Sequence, residues 1–286
     1  MPFIETKDRT SIHFTDWGGA DRRPIVFTHA WGVHKGMWDY LLPEFLDAGY
    51  RCIAYDRRGH GRSDIAELRC DLDTLADDLA ELLESLDLRD VLLVGHSLGG
   101  AEAVRYLTRH GSGRVAGLVL SAPSAPMLAQ APGNPNGIPP EVVGAMRQFV
   151  RTDIGAMLDS WQVEDFFGTA RPISAALADS VRRQMVDTPV PVMLATFETN
   201  MGVDLTAELP GIELPTLIIQ GDADINNPLE LTGRRCAELI PHASLTVLPG
   251  AGHGLYLGEA DAYADAIGSF AALLPGRHRS AAVFAG

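Results

Sequence analysis

The stretch VLLVGHSLGGAEAV, residues 91–104, decides the reading of this chain. A continuous apolar run stops at Gly95, a polar Ser97 stands between glycines, and a helical pattern starts at once. An apolar run ended by glycine is the signature of a strand buried on both faces. A helix beginning two residues later leaves room only for a sharp corner. G-x-S-x-G at such a junction places a serine hydroxyl above the carboxyl edge of a sheet, with the positive end of the helix aimed at the same point. A bare structural turn is the alternative, but the strand before, the helix after and the further Gly100 favour a nucleophile.

Working outward, short β-rich runs alternate with helical patterns. SIHFTDW (11–17), PIVFTH (24–29), RCIAYD (51–56), DVLLVG (90–95), RVAGLVLS (114–121), PTLIIQG (215–221) and SLTVLPG (244–250) read as strands. Leucines at 72, 75, 79, 82, 83 and 86 recur at three- and four-residue spacing and predict an amphipathic helix over 72–88. Further helices are predicted over 98–110, 229–240 and 259–273. The expected class is α/β: a mostly parallel central sheet of about eight strands with helices on both faces.

The rhythm breaks between Pro123 and about Leu209, where APGNPNGIPP (131–140) is followed by helical pieces without strands. The chain therefore divides into a core at 1–122 and 210–274, a helical cap or lid at 123–209, and a flexible tail at 275–286. Six of the eight methionines fall in the cap. Most of that apolar surface forms the cap's own core, and the rest faces the sheet as a substrate wall. Met127, Phe149, Trp161, Phe166 and Phe197 are the candidates, with Trp31 from the core.

The 286 residues are 46% hydrophobic and 21% charged, and the formal charge of −14 argues against nucleic acid as a partner. No run is long enough to span a membrane, and the charged start MPFIETKDRT lacks a signal peptide's apolar segment. Three cysteines without metal-type spacing read as reduced thiols of a cytoplasmic protein. Arg57, Arg58 and Arg62 read as a solvated or ion-paired loop.

A serine hydroxyl needs a base, and the base an orienting carboxylate. Of nine histidines, His253 alone lies just past the last strand, in LPGAGHGLYL. His29, His60 and His96 read as structural hydrogen-bonders, and His13, His110, His242 and His278 as peripheral. For the acid, GDADINNP (221–228) offers Asp222 and Asp224. Asp222 suits the turn itself, whereas Asp224 has the longer reach and is favoured. An oxyanion hole needs two N–H groups, expected from Leu98, which follows the nucleophile, and from Trp31 in the loop after PIVFTH.

Together FTHAWG, YDRRGHGRSD (55–64), VGHSLGG, GDADINNP and GAGHG resemble the α/β-hydrolase superfamily over about residues 2–272, in the order Ser, Asp, His. YDRRGHGRSD and the cap stretch GNPNGIPPEV…DFFGTARP look more narrowly like its cofactor-free bacterial haloperoxidases and arylesterases. The resemblance implies Ser97 as nucleophile, His253 as base, Asp224 as acid and the Trp31 and Leu98 amides as oxyanion donors. The family's loop usually reads His-Gly-aromatic-Pro, whereas here Ala30, Trp31 and Gly32 follow His29; perhydrolase behaviour resembles a feature of the proline-bearing members.

The expected function is hydrolysis of a small to medium apolar ester or lactone through an acyl-enzyme, with no metal or organic cofactor, a small-molecule substrate as partner, neither nucleic acid nor membrane, and the oligomeric state left open. The rivals are a cofactor-free perhydrolase, haloperoxidase-type or oxygenase activity, and a biosynthetic enzyme or ligand-binding protein on the same fold.

Overall fold

In the computed structural model, which describes residues 2–168 and 171–275, eight strands form one sheet. They are β1 (Phe3–Glu5), β2 (Ser11–Trp17), β3 (Pro24–Thr28), β4 (Arg51–Tyr55), β5 (Val91–His96), β6 (Val115–Ser121), β7 (Thr216–Gly221) and β8 (Ser244–Leu248), in the order β1-β2-β4-β3-β5-β6-β7-β8. β2 runs antiparallel to β1 and β4, and every other pairing is parallel. The strand absent from the sequence reading is β1, whose three residues are too few to show a period.

β3, β4, β5 and β7 are buried over almost their whole length because helices cover both faces. Val91 and Leu93 join one buried cluster and Leu92 and Val94 the other, the two-residue alternation of a strand. The first cluster is covered by α2 (Leu72–Ser85) and α3 (Leu98–His110), the second by α1 (Leu42–Asp47) and, late in the chain, Ala260–Leu273. The leucines of α2 form the expected stripe, and Asp71 caps the helix by accepting from the Thr74 N–H at 3.0 Å.

Between β6 and β7 lie α4 (Pro140–Thr152), α5 (Ile154–Asp159), α6 (Val163–Phe167), α7 (Ala175–Asp187) and α8 (Val190–Met201). Val150, Met157, Phe167, Val181, Met185 and Met193 of these helices join the buried cluster on the α1 side of the sheet. The segment is thus bonded to the sheet by a shared apolar core. After β7 come α9 (Gly233–Leu239), β8, α10 (Leu255–Gly258) and α11 (Ala260–Leu273). The tail expected from 275 onward lies outside the described residues beyond Pro275.

The register levels the carboxyl edge. Thr28 pairs Gly95, His96 pairs Ser121, and Gly221 pairs Leu248. Loops from far-apart parts of the chain therefore leave the sheet at one height. At this edge the corner is as tight as its glycines require. Ser97 has φ 56° and ψ −121°, in the left-handed half of backbone space. A Cβ on Gly95 would lie 2.4 Å from the Gly99 carbonyl oxygen, and one on Gly99 would lie 2.4 Å from that of Thr28.

Polar groups are buried beneath this edge. His29, His60 and His96 have no exposed surface. Burial holds all three imidazoles below their usual titration range, His60 down to about 3. Each stays neutral in the fold yet binds a proton in the unfolded chain below pH of about 6.5. Their contribution to stability is therefore complete above that value and is lost as the pH falls. The urea-unfolding free energy should drop by about 4 kcal/mol between roughly pH 7.5 and roughly pH 5.5 for the three together. A flat profile would show that these rings are protonated in place. Gly99→Ala should cost on the order of 3 kcal/mol, read as a lowered urea midpoint, because backbone atoms cannot yield to the new methyl group.

Candidate active site

Ser97, which ends the tight turn after β5, and His253, in the loop after β8, line one pocket. The His253 Nδ1–H donates to Asp224 Oδ2 at 2.9 Å. Asp224 Oδ2 also accepts from Gln220 Nε2 at 3.3 Å, and its Oδ1 from the Asn226 and Asn227 N–H groups at 2.9 Å each. Four donors thus hold a carboxylate that is almost fully buried. Asp222 does different work: it is exposed, and its Oδ1 accepts the Gly250 N–H at 2.7 Å. That bond ties the β7 loop to the β8 loop.

The Ser97 hydroxyl lies 3.3 Å from the hydroxyl of Ser124, which in turn accepts from Asn227 Nδ2 at 3.3 Å. Asn227 also donates to the Ala122 carbonyl at 2.8 Å. A buried polar chain therefore joins the nucleophile's neighbour to the turn that holds Asp224. Ser124 escaped the sequence reading because serine in a loop has no pattern of its own.

The two amides expected at the oxyanion hole are placed by different means. Leu98 opens α3, so its N–H belongs to the first turn and has no intrahelical acceptor. Trp31 is oriented by its neighbours. The Arg57 backbone N–H donates to His29 Nε2 at 2.9 Å, which leaves the proton of this neutral ring on Nδ1, and Nδ1 meets the Ala30 carbonyl at 2.8 Å. The Arg57 guanidinium reaches the same carbonyl at 3.4 Å and that of His29 at 2.8 Å. Because a trans peptide points its N–H opposite its carbonyl, fixing Ala30 oxygen also fixes the direction of the Trp31 N–H. The loop's left-handed residue is Gly32, at φ 75°, and Ala30 carries no positive φ.

Arg57 is itself locked. It is 1% exposed and pairs with Glu102, which is fully buried and also accepts from the Tyr55 hydroxyl. Arg58 is as deeply buried and grips Asp78 through two bonds at 2.6 Å, with Asp8 at 2.9 Å. The ion-paired alternative for this turn is the one realised for these two arginines, in the interior rather than in solvent. His13, expected at the periphery, is buried against Asp56 at 3.0 Å. Cys52, Cys70 and Cys236 are free and buried, and burial pushes the Cys70 thiol up to about 11.

The pocket is open to solvent at its mouth. Trp31, Trp161, Phe166 and Phe197 line it as the composition of the cap suggested. The Trp31 ring packs on Phe197 and donates from Nε1 to the Met193 carbonyl at 3.1 Å. Trp161 stacks on Phe166, which meets His253 edge-on. Two expected members are elsewhere. Phe149 is 45% exposed, because α4 turns Val143, Met146 and Val150 inward and leaves Val142 and Phe149 on its flank. Met127 is buried outside the pocket, and its neighbour Leu128 takes the wall position. Ile138, Met146, Met185, Asn200, Met201, Asn226 and Tyr256 also line the cavity. The sequence held no signal for them, since which side of a cap helix faces the sheet depends on its docking.

Among the described residues no group of three or more His, Cys, Asp or Glu is arranged to hold a metal, and no helix is long and apolar enough to cross a membrane.

Known proteins share this arrangement of chain. Residues 23–260 match the model of the α/β hydrolase fold family. A non-heme chloroperoxidase of Kitasatospora aureofaciens, CPO-A1, is 38% identical over 266 residues, covering 91% of this chain and 95% of that protein. The bifunctional esterase/perhydrolase DCH of Acinetobacter calcoaceticus is 33% identical over 264 residues, covering 91% and 96%. Among solved structures, an esterase from Exiguobacterium antarcticum has a TM-score of 0.88 and 32% identity, covering 94% of this chain and 98% of its own. The chain belongs to the α/β-hydrolase fold family, on the branch of the non-heme haloperoxidases, and is an enzyme of that fold.

Proposed function

We propose that this enzyme is a serine hydrolase that cleaves a carboxylic ester or lactone of a small to medium, largely apolar substrate through an acyl-enzyme. The observation that carries the reading is a strained serine and an aspartate-held imidazole lining one apolar pocket. In this mechanism the Ser97 hydroxyl turns from Ser124 toward His253, which takes its proton as Oγ attacks the carbonyl carbon. The Leu98 and Trp31 N–H groups receive the oxyanion. His253 then returns the proton to the leaving alcohol, and water repeats the cycle with the acyl group. Asp224 holds the imidazole in the tautomer that leaves Nε2 free to accept. Residues 123–209 act as a lid whose aromatic side chains exclude water, and the free cysteines support a cytoplasmic location.

A second reading, acyl transfer to hydrogen peroxide, is favoured by the likeness to the bifunctional esterase/perhydrolase of Acinetobacter. There peroxide would replace water and the acyl group would leave as a peracid. Gly32 sits at φ 75°, which proline cannot adopt, so the loop differs from that of the proline-bearing members. Peracid formation in peroxide is therefore expected to be slower than ester hydrolysis in water, and the reverse order would make perhydrolysis the primary reaction.

A fluorophosphonate should add one adduct to the wild-type protein and none to Ser97→Ala, read by mass spectrometry. Ser97→Ala should lower kcat on short-chain esters by at least about a thousandfold with an unchanged melting profile. Activity that survives this change points to an oxygenase or another non-acyl mechanism. Asp224→Asn should cost about ten-thousandfold, whereas Asp222→Asn should stay within a few fold. The opposite ranking would assign the acid to Asp222.

A further inference from the structure

α8 presents Phe197, Asn200 and Met201 to the pocket, one face of a helix at three- and four-residue spacing. Leu128, Ile138 and Met146 complete this apolar lobe with Trp31. Asn200 interrupts the stripe. It is 7% exposed, and its Oδ1 is buried with no hydrogen-bond partner among the described residues. An amide oxygen taken from water without a partner is costly, and buried polar groups in folded proteins are normally bonded.

Asn200 differs in this from the other buried asparagines and from the threonines of its own helix. Thr196 and Thr199 of the same helix donate to the Val192 and Cys70 carbonyls. Buried Asn134 donates to the Met127 and Ala129 carbonyls, and buried Asn227 to that of Ala122. The helix end needs nothing from Asn200, since the Gly202 N–H closes it onto the Glu198 carbonyl. A leucine at this position would continue the apolar wall.

We propose that Asn200 is a specificity-determining residue, and that the substrate carries an uncharged hydrogen-bond donor, a hydroxyl group, on the part that lies in this lobe. This deepens the esterase reading above and rests on it. Rotation of the Asn200 amide about its last bond turns Oδ1 into the lobe, where the hydroxyl donates to it and satisfies the orphaned acceptor. Its neutrality matches a lobe in which a charged group would meet apolar side chains on every other side. A substrate lacking the hydroxyl leaves the amide unpaired in the filled pocket, which is how buried polar groups reject analogues.

The test compares ethyl hexanoate with ethyl hydroxyhexanoates whose hydroxyl is stepped along the chain, at carbons where the ester is stable to lactone closure. Wild-type kcat/KM should favour one hydroxy isomer by about tenfold or more, and the ratio should collapse toward one in Asn200→Leu. Asn200→Ala, which cannot overpack the lobe, should give the same collapse. Equal kcat/KM for every isomer in the wild type, or a preference that persists in both variants, would overturn the proposal. If none of these esters is hydrolysed, the esterase reading fails by itself. Ligand-observed NMR titration of the same pairs against Ser97→Ala then decides the Asn200 question, tighter binding of a hydroxy isomer supporting it and equal binding refuting it.

Discussion

The close approach of α3 to the end of β3 is the constraint on which the rest of the edge depends. Gly99 sits so near the Thr28 carbonyl that no side chain fits between them, and the Thr28 hydroxyl donates to the Gly99 carbonyl at 2.8 Å. That contact sets the first turn of α3 against the start of the loop carrying His29, Ala30 and Trp31. It forces Ser97 into a backbone conformation costing on the order of 1–3 kcal/mol, which the buried strands on either side sustain. One packing requirement thus sets the turn that carries the Ser97 hydroxyl against the loop that carries Trp31.

The interior of this edge is unusually polar. Arg57, Glu102, Tyr55 and His29 form one buried group, and Gln220, Asp224, Asn227 and Ser124 form another. Replacing a buried ion pair by apolar residues is often neutral or stabilising, so stability alone does not explain such a pair. Its geometric effect does: Arg57 reaches two successive carbonyls of the loop that carries Trp31, and a hydrophobic residue there would leave that loop free to turn. The second group does the same for Asp224: with the Asn226 amide it supplies three donors, so that one direction remains for the histidine. Preorganised dipoles of this kind need no rearrangement when charge develops.

The cap contributes by a different route. Its helices share the buried cluster beneath the sheet yet offer the pocket methionine, aromatic and asparagine side chains. Flexible thioethers adapt to the shape of a ligand, while stacked Trp161 and Phe166 keep one wall flat beside His253. The sheet edge thus supplies the polar groups of the pocket, and the helices laid over it supply most of its apolar wall.

The fold class and the tight turn at Ser97 were legible in the chain because each rests on local rules. Apolar runs ending in glycine mark strands, and period matches leucine spacing in α2. G-x-S-x-G has meaning wherever a strand meets a helix. The choice of Asp224 over Asp222 was inferred from reach, and the coordinates place Asp224 at His253 while Asp222 ties a turn. What local rules could not supply was the facing of cap residues. Phe149 and Met127 looked like wall residues by type, but the rotation of α4 and the path of the chain after β6 put Met146 and Leu128 there instead. Nor could they show that Arg57 reaches back across the turn to orient Trp31, or that Asn200 ends without a partner. Those facts depend on contacts between segments tens to a hundred residues apart, and the energy of such a contact exists only once the chain has packed.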